Sequence, residues 1–168
     1  TCVLSTIQSY LHLYMSKSVI QSLDETSFRL KDFINGKPID IFIVFPQDKL
    51  RSHSRLFVQW LTLLMRAVAS RKHLVPTDTL FMIDEAAVIG PNEYIANFLT
   101  ICRGYNTRLW LFFQDLQQVY NCYKNEYKTI INNCGIFQTF GINTWNAASD
   151  LKQIINVPPE VIRTLPAD

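Results

Sequence analysis

An α/β fold, with a mostly parallel sheet and flanking helices, is what this 168-residue sequence predicts. Two patterns and one bulk property carry the prediction. Apolar, β-rich runs alternate with helical patterns of about 10 to 20 residues, which implies parallel pairing through right-handed crossovers. Each run ends in polar residues, at the carboxyl ends of strands where such sheets bind ligands. These are Gln47 and Asp48, Asp84 and Glu85, Gln114 and Asp115, then Asn143 and Thr144. A composition 48% hydrophobic and 18% charged is globular and excludes a disordered chain.

The opening "STIQSYLHLYMSKSVIQSL" places Ile7, Leu11, Tyr14 and Met15 at helical spacing, with Ser5 available as an N-cap. Residues 25–33 form a short turn or helix, ended by the breaker "NGKP". "IDIFIVF" at 39–45 is rich in β-branched and aromatic residues, stops at Pro46, and is expected as a buried strand. Residues 52–72 carry Leu56, Phe57, Trp60, Leu61, Leu64 and Val68, the stripe of an amphipathic helix. The strand "TLFMID" follows. A helix is expected over 92–102, with Ile95, Phe98, Leu99 and Cys102 on one side, then a turn at 104–106. "RLWLFF" at 108–113 is the third strand, 115–133 a helix in two pieces, and "IFQTFG" after Gly135 the fourth strand. A last helix starts near Thr144, and "VPPEVIRTL" gives a terminal helical turn at its prolines.

Bulk properties narrow the function classes. A net charge of +2 does not announce a nucleic-acid binder. The denser positive charge at Lys49, Arg51, Arg55, Arg66, Arg71 and Lys72 is read as a solvated helix face. Cys2, Cys102, Cys122 and Cys134 form no CxxC pair and the three histidines are scattered, so no metal cluster is expected. Isolated cysteines of this kind suit a reducing compartment, packed as small hydrophobes. No apolar run reaches the ~20 residues of a membrane helix; "LFVQWLTLLMRAVA" is interrupted by Gln59 and Arg66. The chain begins with Thr1, so a processed chain or a fragment is expected.

The chemistry concentrates in "DTLFMIDEAAVIG", where a buried strand runs into two adjacent carboxylates. Burying an isolated carboxylate is expensive, so the pair must meet solvent, a cation or a reacting group. Asp84, delivered to the sheet's rim, suits the water shell of Mg²⁺, which uses one or two carboxylates beside phosphate oxygens. Glu85 suits the orientation of an attacking water. The same residues also suit a solvated strand end that caps the next helix. Gln114 is expected on the same rim beside Asp84, either to report on a γ-phosphate or to bond a loop. Arg103 ends a helix, either as a cation favoured by the macrodipole or as an arginine finger for a neighbouring subunit.

The order "LFMIDEAAVIG", "CRGYNTRLWLFFQDLQQVY" and "NCGIFQTFG" resembles the nucleotide-binding domain of type IV secretion coupling proteins. The matching positions are Asp84 and Glu85, Gly90, Arg103 with Gly104 and Tyr105, then Gln114, Leu116 and Tyr120. Arg103 lies 19 residues after Asp84 and Gln114 lies 30 after it, as in that family. The resemblance covers roughly residues 25–150. It implies a partial RecA-like P-loop NTPase domain taken from a membrane-anchored, hexameric ATPase. Asp84 would hold Mg²⁺ through water, Glu85 would activate the hydrolytic water, Gln114 would sense the γ-phosphate of ATP, and Arg103 would act in trans. Residues 1–35 would be the helical exit from an inserted all-α domain, and 36–168 the C-terminal portion of the nucleotide-binding domain. Implied partners are other copies in the ring, a secreted DNA or protein substrate, relaxosome-type proteins and other secretion components. The parent would sit at the bacterial inner membrane with this domain cytoplasmic, and these residues contain no transmembrane segment.

The sequence departs from the family in two respects: these residues include neither the family's N-terminal membrane anchor nor its phosphate-binding loop. Glycines 36, 90, 104, 135 and 141 include no GxxxxGK[ST] loop, and "NGKP" precedes a strand instead of following one. Without that loop's N–H groups and lysine the phosphates lose their main cradle, so an ATPase parent and an inactive fragment are expected. With the phosphate-loop strand missing, the expected strand order is 39–45, 79–84, 108–113, a vacant slot, then 136–140. Two other readings stay open. One is a piece of another hexameric motor, helicase-like or AAA+; the other is a non-enzymatic α/β interaction domain whose many aromatics serve core or partner.

Overall fold

The computed structural model describes residues 2–142 and 144–156. Helices come first: α1 (Cys2–Leu11), a 3-10 turn at His12–Met15, α2 (Lys17–Asp24) and the short α3 (Leu30–Ile34). The long α4 (Gln47–Ala69) leads to β1 (Thr79–Ile83), and α5 (Glu93–Ile101) crosses over to β2 (Thr107–Leu111). Then follow α6 (Leu116–Tyr123), α7 (Tyr127–Asn133) and α8 (Trp145–Ile155). β1 and β2 pair in parallel, from Thr79 opposite Thr107 to Ile83 opposite Leu111. The molecule is therefore α/β, with a two-stranded parallel sheet and flanking helices.

α4 organises the core because its apolar residues recur at helical spacing. Leu56, Leu61, Leu64, Met65, Ala67 and Val68 are buried on one side of it. The last five of these meet Phe81 and Ile83 of β1 and Ile95 and Phe98 of α5, with Leu109 and Leu111 of β2 partly buried beside them. Phe98 sits edge-on to Phe81 with ring centroids 6.1 Å apart and stacks on Tyr94 at 6.4 Å. Each such side chain taken from water contributes roughly 1.5–3 kcal/mol. The helix starts five residues earlier than its stripe predicts. Pro46, at φ −57°, is already preset for a first turn, and its carbonyl accepts the Lys49 N–H at 2.9 Å.

Two of the four expected strands are corrected. Residues 39–45 run with the alternation of a strand: Ile39, Ile41, Ile43 and Phe45 half-buried, Asp40, Phe42 and Val44 exposed. They carry no ladder, and a groove of about 360 Å³ lined by both segments separates them from β1. Residues 136–140 are exposed and unpaired. A strand needs a neighbour to take its N–H and C=O groups, and among the described residues neither segment has one. Of the expected order only the adjacency of 79–84 with 108–113 is present, and it is parallel. The far face of the sheet stays open: Leu80, Met82 and Trp110 are exposed, with Trp110 stacked on Phe112 at 5.0 Å. Asn143 and the helical turn expected in "VPPEVIRTL" lie outside the described residues. Among the described residues no helix is long and apolar enough to cross a membrane.

The basic cluster also divides. Lys49, Arg51, Arg55 and Arg66 are exposed, but Arg71 turns inward. Its Nε donates to the Ile34 carbonyl at 3.1 Å, Nη2 to that of Phe33 at 3.0 Å, and Nη1 to Thr79 Oγ1 at 2.9 Å. One guanidinium thus ties the end of α3 to the start of β1, and burial lowers its pKa from the ordinary value. The turn it holds depends on Gly36. The Lys37 N–H donates to the Asp32 carbonyl at 3.0 Å and the Gly36 N–H to that of Phe33 at 3.1 Å, which requires φ +76° at Gly36. A Cβ there would lie 2.5 Å from Val75 Cβ. Gly36→Ala should cost about 1–3 kcal/mol, from left-handed strain and overpacking together. Thermal melts check this; Val75→Ala in the same chain would remove the Cγ contacts but leave the 2.5 Å approach to Cβ, so it should recover only a part of the steric cost.

Candidate functional site

The carboxylate pair sits where the parallel ladder breaks. The Phe112 N–H donates to the Ile83 carbonyl at 3.1 Å, as the β1–β2 register requires. In a regular parallel ladder the Phe112 carbonyl would next accept from Glu85. It accepts instead from Ala86, at 2.8 Å. One residue is therefore inserted, and Glu85 absorbs it in the left-handed region at φ 53°, ψ 53°. That conformation costs a non-glycine residue about 1–2 kcal/mol, and bulges of this kind re-aim side chains at rims and sites. The 3-10 turn at Ala86–Ile89 then locks the bend: Ala86 and Ile89 are buried, and Gly90 turns the chain away at φ +65°.

The re-aimed side chain has a partner on the next strand's exit. Gln114 Nε2 donates to Glu85 Oε2 at 2.8 Å. The sequence expectation placed Gln114 beside Asp84; the inserted residue brings Glu85 to it instead. Asp84 is exposed and, among the described residues, makes no hydrogen bond or ion pair. Gln114 lies in the turn between β2 and α6, whose first turn is capped by Asp115: its Oδ1 accepts the Gln118 N–H at 2.7 Å. Gln118 Oε1 in turn accepts the main-chain N–H of Gln114 at 3.0 Å. Leu116 is half-buried toward α8, and Tyr120 is exposed, edge-on to Tyr127 at 5.4 Å.

Behind this rim, α6 holds the bend from below. The Cys122 thiol donates to the Ala87 carbonyl at 3.7 Å and packs with Val119, Tyr123, Ala96 and Ile130. Burial raises the Cys122 pKa and, together with that neighbouring thiol, pushes the Tyr123 hydroxyl up to about 12. Both groups stay neutral and serve as packing.

Arg103 stands apart. It lies in the 3-10 turn Cys102–Tyr105, followed by Asn106 in the left-handed region, whose carbonyl accepts the Thr79 N–H at 3.0 Å. That is the amino end of the sheet, and Glu85 and Gln114 are at the carboxyl end, about 16 Å along five-residue strands. Arg103 is exposed and is not brought to the carboxylates of its own chain. The 360 Å³ groove is not the site either, because its lining includes none of Asp84, Glu85 and Gln114.

Among the described residues no three His, Cys, Asp or Glu side chains converge to hold a metal. What the rim offers is one free, solvated carboxylate. That donor set fits a hard cation that keeps most of its water, such as Mg²⁺, and not a fully protein-ligated one. Sequence reasoning missed Gln118; its signal was the D-x-x-Q spacing from Asp115, a capping-box pattern at the start of a helix.

A family profile described as type IV secretory system conjugative DNA transfer matches residues 1–155. Two curated relatives, each a conjugal transfer protein TraG of Escherichia coli, are 30% and 29% identical over alignments of 168 positions that cover 90% of this chain. The chain spans about a quarter of their length, 26% in each case. No solved structure matches.

Proposed function

This chain belongs to the type IV secretory system conjugative DNA transfer family, and from that premise we propose that it supplies the water-activating side of an ATP hydrolysis site. The intact protein, in this reading, is a ring-forming coupling ATPase with a RecA-like domain. It draws DNA, or protein carried with it, through a secretion machine at the bacterial inner membrane. The observation that carries the reading is the hydrogen bond from Gln114 to Glu85, made across the exits of two adjacent parallel strands.

The chemistry follows from which atoms are engaged. Glu85 Oε2 accepts from Gln114, so Oε1 is left to take a proton from water. Gln114 Nε2 carries a second hydrogen, free to donate to a phosphoryl oxygen while the first stays on Glu85. One amide thus links the base to the group under attack, so that water is activated when a phosphate is in place. Asp84 would hold Mg²⁺ through its water shell, and the ion supplies neutralisation of phosphate charge. The 168 residues contain no phosphate-binding loop, so the cradle for ATP must come from elsewhere in the whole protein.

ATP turnover by the full-length protein should require Mg²⁺. Asp84→Asn should move that requirement to higher Mg²⁺ by about 10- to 100-fold, the usual cost of losing a group that orders metal-bound water. An unshifted Mg²⁺ titration would remove Asp84 from the metal. A non-enzymatic docking role is the competing reading, favoured by the open apolar face at Leu80, Met82 and Trp110. A full-length protein that binds no nucleotide would decide for it.

A further inference from the structure

We infer that Gln118 is a positioning residue for the hydrolysis site, holding Gln114 at the angle from which it reaches Glu85; this rests on the reading proposed above. The main-chain N–H of Gln114 falls between two regular elements. β2 ends at Leu111 and α6 starts at Leu116, so neither ladder nor helix satisfies it. Gln118 Oε1 takes that N–H at 3.0 Å, from one helical turn further on. The bond closes a loop of contacts: Asp115 Oδ1 holds the Gln118 N–H at 2.7 Å, and Gln118 holds Gln114. Gln114 then holds Glu85 at 2.8 Å.

Two features mark this contact. Asp115 and Gln118 stand at the N-cap and N3 positions of a capping box, but Gln118 Oε1 takes the N–H of Gln114, one residue before the cap, where a capping box takes that of the cap itself. Its neighbour Gln117 points the other way, bonding Asn121 at 3.0 Å on the outer surface. Gln118 is half-buried and turned back over the turn instead. Fixing the N–H of a residue restricts its φ, and φ sets the direction from which the glutamine side chain and its rotamers start. A glutamine released from that bond keeps its chemistry and loses its aim. Misplacement of about 1 Å at a reacting centre is enough to cost roughly 100-fold in rate.

The test uses ATP turnover and nucleotide affinity of the full-length protein. Gln118→Ala should lower kcat by about 10- to 100-fold with KM, nucleotide affinity and melting temperature held. Gln118→Glu keeps an oxygen acceptor at the same reach and should restore turnover to within a few-fold. The deciding measurement is the pair. If Gln118 acts only through Gln114, Gln114→Ala and Gln114→Ala/Gln118→Ala should have the same kcat, because effects on one unit do not add. An unchanged kcat in Gln118→Ala, or a double variant with the two losses multiplied, overturns the inference. If Gln114→Ala lowers turnover and Gln118→Ala does not, the hydrolysis reading stands without it. Turnover unaffected by both Gln114→Ala and Glu85→Gln removes the reading and the inference together.

Discussion

Glu85→Gln in the full-length protein is expected to cut ATP turnover by about 10²- to 10⁴-fold, the range a positioned general base contributes. Nucleotide affinity should stay within a few-fold. The substitution changes charge and proton affinity and very little else. A glutamine has the same length, and its Oε1 can still accept from Gln114 Nε2, as Glu85 Oε2 now does at 2.8 Å. It carries the same Cβ, so the left-handed backbone at φ 53° is no more and no less strained. The bulge, the bond from Ala86 to Phe112 and the buried turn behind it should therefore persist. What would disappear, on the proposed reading, is the atom that takes the proton from water. A loss confined to kcat is the signature of a group used only in the transition state. Unchanged turnover would refute the role of Glu85. A loss of turnover matched by loss of nucleotide binding would place it in the ground state instead.

The sequence made Asp84 and Glu85 legible because the signal is local: four apolar residues, Leu80 to Ile83, run into two charges. Gln114 was legible for the same reason at the end of "LWLFF". The sequence put Gln114 on the rim beside Asp84; the bond it makes in the structure is to Glu85. A regular strand end puts Asp84 opposite Phe112, and only the inserted residue turns Glu85 toward Gln114. Nothing in the residue types announces that bulge, since a glutamate at positive φ runs against its own preference. Residues 39–45 and 79–83 show a related limit. Both have the apolar character of strands, and 39–45 does alternate in and out, yet only β1 gains a ladder. Alternation records which face is apolar, and pairing depends on a neighbour distant in sequence. Arg71 reads as one more charge in a basic stretch. Its three acceptors, on α3 and β1, come from segments far from it or beyond a turn. Helices fared better, because their spacing is written within one element: the break of 115–133 into α6 and α7 and the start of α8 both match.

The second large effect concerns Arg103, and geometry makes its test sharp. Arg103 lies at the amino end of the sheet, about 16 Å from the carboxylates by strand length, farther than its side chain reaches. On the proposed reading, that distance leaves Arg103 out of its own chain's hydrolysis, and a catalytic role would be played on a neighbour's nucleotide. Its exposure suits that. Arg103→Ala in the full-length protein should lower kcat by about 10³-fold or more, the worth of a cation that meets transition-state charge. By itself that loss would not tell an arginine finger from a damaged subunit contact. Mixing the two inactive variants does. In a ring, a subunit carrying Arg103→Ala still has Glu85, and one carrying Glu85→Gln still has Arg103. Where the first presents its nucleotide to the second, both groups are present. Random 1:1 assembly puts that arrangement at about one interface in four, so mixed rings should regain turnover although neither parent has any. A tandem fusion that fixes the alternation of the two variants repairs every second interface, twice the share of a random mixture, and should regain correspondingly more turnover. Turnover absent from that fusion, with Arg103→Ala rings intact by light scattering, would leave Arg103 as a surface cation near a helix end, the bland reading its sequence position also allows.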